Sequence, residues 1–398
     1  GLMCAALAEG ESEIIHPLSS ADTQAALNVL SQIGVRIYQR EDSWQVAGGD
    51  FHQPDTDLFC AESAATLRFM TAICSLVPGK CRLVPGTSLS RRPIKPLIQA
   101  LGQLGVNCSC QGDFAPVIVE GGGLRGGVAR LPGDVSSQFV SALLLVSPLA
   151  EGGVKIELTT KLESKPFVLM TIECLKEFGV KVKSSEDLKE FEVPKQIYKP
   201  ARYEVEGDWS SASYLLALGA LSGEVEVENL NLGSLQGDKM IVNFLRDMGA
   251  LVEINKNFIK VRKSRLKSMQ ADLSDCIDLL PTMATLAAVA DGVSEFTGIQ
   301  RARLKESNRV AALKEGLRKM GVKVVEEDKL VIVGTEPKGS VIDSRGDHRI
   351  AMAFAILGSL VGGTTITNTE CVSKTYPQFW DILKSIGVLT EGQNKEFY

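Results

Sequence analysis

The apolar positions along the chain fall into one phrase that returns six times. Each copy has apolar residues at i, i+3, i+4 and i+7, the stripe of a helix buried on one face. A glycine follows, and then a β-branched or small apolar residue that opens a strand. The copies read "AALNVLSQIGVRI" through Gly34, "LIQALGQLGVNC" through Gly105 and "TIECLKEFGVKV" through Gly179. They continue as "MIVNFLRDMGALV" through Gly249, "AALKEGLRKMGVKV" through Gly321 and "WDILKSIGVLT" through Gly387. Each glycine suits the left-handed position just past a helix end, where a Cβ would clash. Most copies run on into a strand pair, such as "VRIYQREDSWQVAG" and "VKVVEEDKLVIVG", with period-two alternation broken by a polar turn.

The six glycines lie 71, 74, 70, 72 and 66 positions apart. Helix, glycine and strand follow one another in many α/β proteins, so six unrelated helix ends would also fit the phrase; the near-constant spacing favours a repeat. The period exceeds the roughly 20–50 residues of solenoid repeats, so each copy is large enough to be a βα subdomain. Six copies predict two domains of three, 1–206 and 207–398, jointed near Val205-Glu206-Gly207-Asp208. The last copy ends early, with eleven polar residues after Gly387. It predicts a sixth unit short of a strand that something outside the chain, or ahead of it, would supply.

Composition narrows the field. Hydrophobic residues make up 44% of the 398 and charged residues 23%, the proportions of an ordinary globular protein. No apolar run reaches the roughly 20 residues that span a bilayer, and the N-terminus has no basic n-region of a signal peptide. A net charge of −5 gives no global case for nucleic acid, although local cations can still bind anions. The nine cysteines form no CxxC pairs. Cys108 and Cys110 share a strand face without further ligands, so reduced, buried thiols are expected rather than a zinc site. Only His16, His52 and His348 are histidines, too few for a His-based metal site.

Six short polar segments stand where helices or strands end. "CAESAATLRF" puts Glu62, Ser63 and Arg68 around small residues that lead into a helix, whose first turn can meet an anion. "GTSLSRRPI" carries Arg91 and Arg92 before Pro93; proline at the first helical position would set Arg92 beside the cap and the helix dipole. In "LPGDVSSQF", Ser136 or Ser137 is the N-cap, and the same hydroxyls and free N–H groups could cradle a phosphate. In "GDWSSASY", Asp208, Ser210 and Ser211 read at least as well as plain caps. "RARLKESNRVAAL" reads as a solvated helix start, with Lys305 and Arg309 repelling at i,i+4 and Glu306 relieving them. "SRGDHRIAM" sets Asp347, His348 and Arg349 before an apolar helix, and Lys374 precedes another. If these segments converge on one cleft, Arg68, Arg92, Arg309, Arg349, Lys374, Asp278 and Glu306 would suit a small substrate bearing phosphate and carboxylate groups, with acid/base chemistry.

Taken in order, "LPGDVSSQF", "ESKPF", "GDWSSASY", "RLKESNR", "GDHRIAM" and "SKTYP" resemble the 5-enolpyruvylshikimate-3-phosphate (EPSP) synthase family over essentially the whole chain. Asp278 and Glu306 are 28 positions apart, the interval between that family's catalytic Asp and Glu. The resemblance implies two inside-out α/β domains, each of three βαβαββ-type repeats. It implies transfer of an enolpyruvyl group from phosphoenolpyruvate to the 5-hydroxyl of shikimate 3-phosphate by a cytoplasmic monomer with no metal or organic cofactor and no nucleic-acid or membrane partner. By motif, Ser136, Ser137 and Ser164 would hold the shikimate phosphate, and Gln138 would sit between the substrates. Arg92, Arg309, Arg349 and Lys374 would bind phosphoenolpyruvate, with Arg68 in support. Asp278 would contact the shikimate hydroxyls and act as base, assisted by Lys305. Glu306 would protonate the methylene carbon and take the proton back.

The chain also departs from that family. A Lys-Ser-x-Ser-x-Arg segment, with a catalytic lysine, stands in the family just ahead of the position matching Gly1. Its absence leaves open a silent or split relative. Phe167 replaces a frequent Tyr. Asn308 replaces the usual Asp and is expected to leave Arg309 less firmly oriented. Ala64 stands where glyphosate-sensitive members have Gly, so reduced sensitivity is expected. The sister enzyme acting on UDP-N-acetylglucosamine typically has a reactive Cys in the loop that is Gly86-Thr87-Ser88-Leu89-Ser90 here, without one.

Overall fold

A computed structural model describes residues 1–256, 258–388, 390–392 and 395–397. The chain divides into two units, Gly1–Val205 and Glu206–Tyr398. Two kinds of helix alternate within each, and their burial follows from their sequences.

The first kind is apolar on every side, and a helix with no polar face belongs in a core. Ser137–Val146 buries nine of its ten residues, and Leu280–Val289 buries nine of ten. Ala64–Ile73, Trp209–Ser222 and His348–Val361 are built the same way. The second kind is amphipathic and closes the repeated phrase. Ala21–Gln32, Lys95–Gln103, Lys165–Glu177, Ile241–Asp247, Arg309–Lys319 and Phe379–Ser385 each end two residues before one of the six spaced glycines. All six glycines have positive φ, from 80° at Gly179 to 107° at Gly34, as the left-handed position past a C-cap requires.

The sheets surround the inner helices. Most strands alternate buried with more open positions, buried and half-buried in Val154–Leu158 and exposed and buried in Glu190–Val193, so each sheet keeps one face drier than the other. Helices inside and half-wet sheets outside give the inside-out α/β architecture in each unit. Among the described residues, five of the six sheets share one plan, a parallel pair at one edge and antiparallel partners beyond. In the second sheet Leu58–Phe59 runs parallel to Gly79–Val84, which pairs antiparallel with Phe114–Gly121 and that with Asn107–Gln111.

Two details correct the sequence reading. The sixth unit is not short of a strand: its sheet has four, because Lys395–Phe397 pairs with Thr364–Thr367 and Thr390–Glu391 pairs with Lys395–Phe397. Among the described residues the three-stranded sheet belongs to the fourth unit, where Glu224–Glu228 has Phe258–Arg262 as its single partner. Proline also sits differently near Arg92. The helix begins at Lys95 with Pro96 in its first turn, and Arg92 closes a short 3-10 turn, Leu89–Arg91. Pro93 lies in the extended link between them, so Arg92 is not beside a helix cap.

All nine cysteines are free thiols, with Cys108 and Cys110 half-buried on Asn107–Gln111. Among the described residues, no group of three or more His, Cys, Asp or Glu could hold a metal ion, and no helix is long and apolar enough to cross a membrane.

Candidate active site

The N-caps Ser63, Ser136, Asp208 and Asp347 stand at the tips of inner helices, where four backbone N–H groups of each helix lack intrahelical partners, whereas Arg92, Ser164, Lys305, Glu306 and Lys374 stand ahead of amphipathic ones. An apolar helix body fixes each tip by packing, and the tip is free to carry chemistry.

In the first unit, Ser136 is the N-cap of Ser137–Val146; its hydroxyl accepts from the Gln138 amide at 3.3 Å. Arg68, on the neighbouring inner helix and 4% exposed, reaches this tip. One of its terminal nitrogens donates to the Ser136 hydroxyl at 2.9 Å and to Gln138 Oε1 at 2.8 Å. The other donates to the Pro93 carbonyl at 3.3 Å, and the guanidinium lies 4.9 Å from the Phe139 ring centre. Arg68 therefore joins three of the segments. Ser137 is buried in the first turn. Ser164 caps Lys165–Glu177 in a left-handed conformation, φ 52° and ψ 45°, without bonding the helix. Its buried hydroxyl has no hydrogen-bond partner among the described residues. Its loop is held against the Ser136 loop, since the Gly133 N–H donates to Thr160 at 2.9 Å and the Glu163 N–H donates to the Gly133 carbonyl at 3.1 Å. A side chain at Gly133 would press on the Thr160–Leu162 backbone at 3.0 Å. Ala64 opens the Arg68 helix and is 5% exposed, behind the Ser63 N-cap. Arg92 is half-buried.

The second unit gathers the charged residues around Arg309. Its side chain is 1% exposed. Nε donates to Asp347 at 2.8 Å, one terminal nitrogen to Asp278 at 2.7 Å, and the other to Glu306 at 2.7 Å and Asp347 at 3.3 Å. Four of the five N–H donors of the guanidinium are thus engaged. Asp278 also meets Lys305 at 3.2 Å and Arg349 at 3.7 Å, and Glu306 accepts from Lys374 at 2.7 Å. Burial pushes the Asp278 carboxyl up, but Lys305, Arg349 and Arg309 outweigh it and hold the group well below the usual carboxylate range. Asp278 is therefore an anion at neutral pH and a weak base while all three cations face it. Asp347 resolves the same way: burial, the largest effect, raises it, but the charge and hydrogen bonding of Arg309 together with His348 leave the carboxyl lowered. For His348 burial outweighs the neighbouring carboxylates, Asp347 at 3.9 Å among them, and lowers it to about 3, so the imidazole is neutral.

This cluster replaces the expected solvated helix start. The helix begins only at Arg309, leaving Lys305 and Glu306 on the irregular segment before it. Lys305 and Arg309 share the Asp278 carboxylate instead of repelling along a helix face. Nor does Asn308 loosen Arg309. Asn308 is the N-cap, accepting from the Ala311 amide at 3.1 Å, and three carboxylates elsewhere fix the guanidinium.

Sequence reasoning did not give three residues their weight. Asp347, read only as standing before an apolar helix, is that helix's N-cap, accepting from the Arg349 amide at 3.0 Å. It is also the fully buried counter-ion of Arg309; the available signal was that a buried arginine needs more than one carboxylate. Asp238, 2% exposed, accepts from the Ser210 hydroxyl at 2.5 Å. Burial, with Asp278 nearby, pushes its carboxyl up to about 6. Glu62 holds the loop that carries Arg92, which no local pattern announces.

The family model for EPSP synthase (3-phosphoshikimate 1-carboxyvinyltransferase) matches residues 1–383. A 3-phosphoshikimate 1-carboxyvinyltransferase of Dehalococcoides mccartyi is 49% identical over 390 residues, covering 97% of this chain and 92% of that protein. Another, of Methanothermobacter thermautotrophicus, is 40% identical with the same two coverages. A solved structure of EPSP synthase from Acinetobacter baumannii aligns with a TM-score of 0.81 at 25% identity, over 96% of this chain and 92% of that one. The family model spans the polar segments and nearly all of the repeats, and the chain belongs to the EPSP synthase family.

Proposed function

We propose that this protein transfers the enolpyruvyl group of phosphoenolpyruvate to the 5-hydroxyl of shikimate 3-phosphate, releasing phosphate. The observation that carries the reading is the Arg309 cluster, three carboxylates and three further cations gathered in a chain of this family. Such a set suits a reaction that moves one proton onto carbon and one off oxygen while a phosphate departs.

The roles divide as follows. Ser136, Ser137 and Ser164 bind the shikimate phosphate; the buried, unpartnered Ser164 hydroxyl supports this, since a buried polar group without a partner is costly unless a ligand completes it. Gln138 contacts both substrates and Arg68 holds it in place. Arg92, Arg349 and Lys374 bind phosphoenolpyruvate, and Arg309 adds its remaining N–H while ordering the carboxylates. Asp278 orients the 5-hydroxyl with Lys305 and accepts its proton as the oxygen bonds to C2. Glu306 delivers a proton to C3, giving a tetrahedral intermediate, then removes one from the new methyl group as the C–O bond to phosphate breaks. Lys374, 2.7 Å from Glu306, is placed to neutralise charge as the proton leaves and returns.

The test is phosphate release by the full-length protein with the two substrates supplied together and singly. Release is expected only with both. Release from phosphoenolpyruvate alone, or none with both, would sink the proposal.

Ala64 carries a second expectation, reduced sensitivity to glyphosate. A methyl group at the first residue of the Arg68 helix crowds an inhibitor longer than phosphoenolpyruvate more than the substrate itself, and a single methylene-sized clash is worth roughly 10-fold or more. Ala64→Gly should lower the glyphosate inhibition constant about 10-fold, with a smaller change in KM for phosphoenolpyruvate. A submicromolar constant in the unsubstituted protein would overturn the idea.

A further inference from the structure

Glu62 stands just ahead of the Ser63 N-cap, yet its carboxylate turns toward the Arg92 loop and not toward its own helix. It accepts from the Leu89 amide at 2.9 Å, from the Ser88 amide at 3.3 Å, and from the Ser88 hydroxyl. The backbone is tied at the same place, the Gly86 N–H donating to the Ala61 carbonyl at 2.6 Å. A Cβ at Gly86 would overlap the Glu62 carboxylate, so glycine there makes room for the clamp. Downstream, the Arg92 amide donates to the Leu89 carbonyl at 3.0 Å, the Pro93 carbonyl accepts from Arg68, and the Ile94 amide donates to the Asp113 carbonyl at 2.9 Å. The peptide bearing Arg92 is therefore fixed on its far side by Arg68 and Asp113, and on its near side by one carboxylate.

We infer that Glu62 is a positioning residue for Arg92, setting the place from which that guanidinium meets phosphoenolpyruvate. The inference rests on the reading of Arg92 as a ligand of that substrate. Hydrogen bonds to an ionised acceptor are about twice as strong as neutral ones, and Glu62 has three donors converging on it. Loss of its charge leaves the Leu89 amide and the Ser88 loop with a weaker holder, while the folded body of the unit, packed through other residues, is untouched. The cost then appears in one substrate and not in the fold: Arg92 samples positions from which it cannot bind, and apparent affinity falls by the fraction of time it is misplaced.

The experiment compares Glu62→Gln, Arg92→Ala and the double variant in the full-length protein. Glu62→Gln is expected to raise KM for phosphoenolpyruvate about 10-fold, equivalent to about 1.4 kcal/mol. Both kcat and KM for shikimate 3-phosphate should stay within about twofold. Hydrogen–deuterium exchange at the Ser88 and Leu89 amides should quicken about 10-fold, a readout independent of turnover. The double variant should be no worse for phosphoenolpyruvate than Arg92→Ala alone, because the clamp has nothing left to position. If Arg92→Ala raises that KM and Glu62→Gln does not, the positioning role is wrong and the reading of Arg92 stands. If Arg92→Ala leaves it unchanged, the reading of Arg92 fails and the inference falls with it. Equal rises in both KM values with a lowered Tm would show a general structural role and also overturn it. Should Glu62→Gln fail to fold, Ser88→Ala carries the test, with an expected rise of about two- to threefold for phosphoenolpyruvate alone; no rise overturns the inference.

Discussion

Glu306→Gln is expected to lower kcat by about a thousandfold, within the roughly 10²–10⁴ attributable to a positioned acid/base group. The amide fills the same space but cannot carry a proton to C3 and take one back. It also turns an NH2 group toward one of two cations, because Glu306 faces Arg309 through one oxygen and Lys374 through the other, both at 2.7 Å. A rise in KM for phosphoenolpyruvate should accompany the loss. Two measurements separate the chemistry from the binding. One is phosphate release at saturating substrates. The other is solvent deuterium entering the methylene of recovered phosphoenolpyruvate, which reports the reversible proton transfer itself. The unsubstituted protein should show both, and the variant neither. A variant that still exchanges the methylene hydrogens at a normal rate would remove Glu306 from the role.

Arg309→Met should damage the fold more than any other single change in this site. Methionine matches the length of the arginine stem but leaves three buried carboxylates, on Asp278, Glu306 and Asp347, without their shared cation. Removing one partner from a buried ion pair costs about 3–5 kcal/mol, which lowers Tm by about 10 °C in a unit of this size. The pH dependence has a definite sign. In the unsubstituted protein Asp278 and Asp347 have lowered carboxyls. Their stabilising contribution is complete above the unfolded value of about 4 and is lost as pH falls through the lower folded values. In the variant, burial without Arg309 favours the protonated carboxyls, so acid relieves the strain. The Tm gap between the two proteins should thus be widest near pH 7 and narrow toward pH 4, and thermal melts at several pH values would measure it. A gap under about 2 °C at pH 7, or one that ignores pH, would contradict the account of Arg309 as the keystone of the cluster.

Much of the architecture could be read from the chain because it is written in local terms. The six glycines past the amphipathic helices announce their backbone conformation, and all six adopt it. The inner helices are equally legible: a segment such as "SQFVSALLLV" has no polar face to offer water. What escaped reading depends on partners far along the chain. Thr390–Glu391 and Lys395–Phe397 are too short and polar to suggest strands, and become so only by pairing with each other and with Thr364–Thr367. The partners of Arg309 lie 31 and 38 positions away as well as three, so helix-spacing rules predicted a repulsion that does not exist. At Asn308 the comparison of charges misled, because a neutral cap does its work on the helix and leaves the arginine to others.

The separation of each inner helix into an apolar body and a polar tip has a bearing on how such proteins change over time. The body is constrained by packing on all sides and answers only to volume. The tip is constrained by what it must grip and has little say in the core. A substitution in the first turn can therefore trade one anion for another while the body holds the address constant. Several such tips, each varied independently, give the scaffold a vocabulary of specificities far larger than its single architecture suggests.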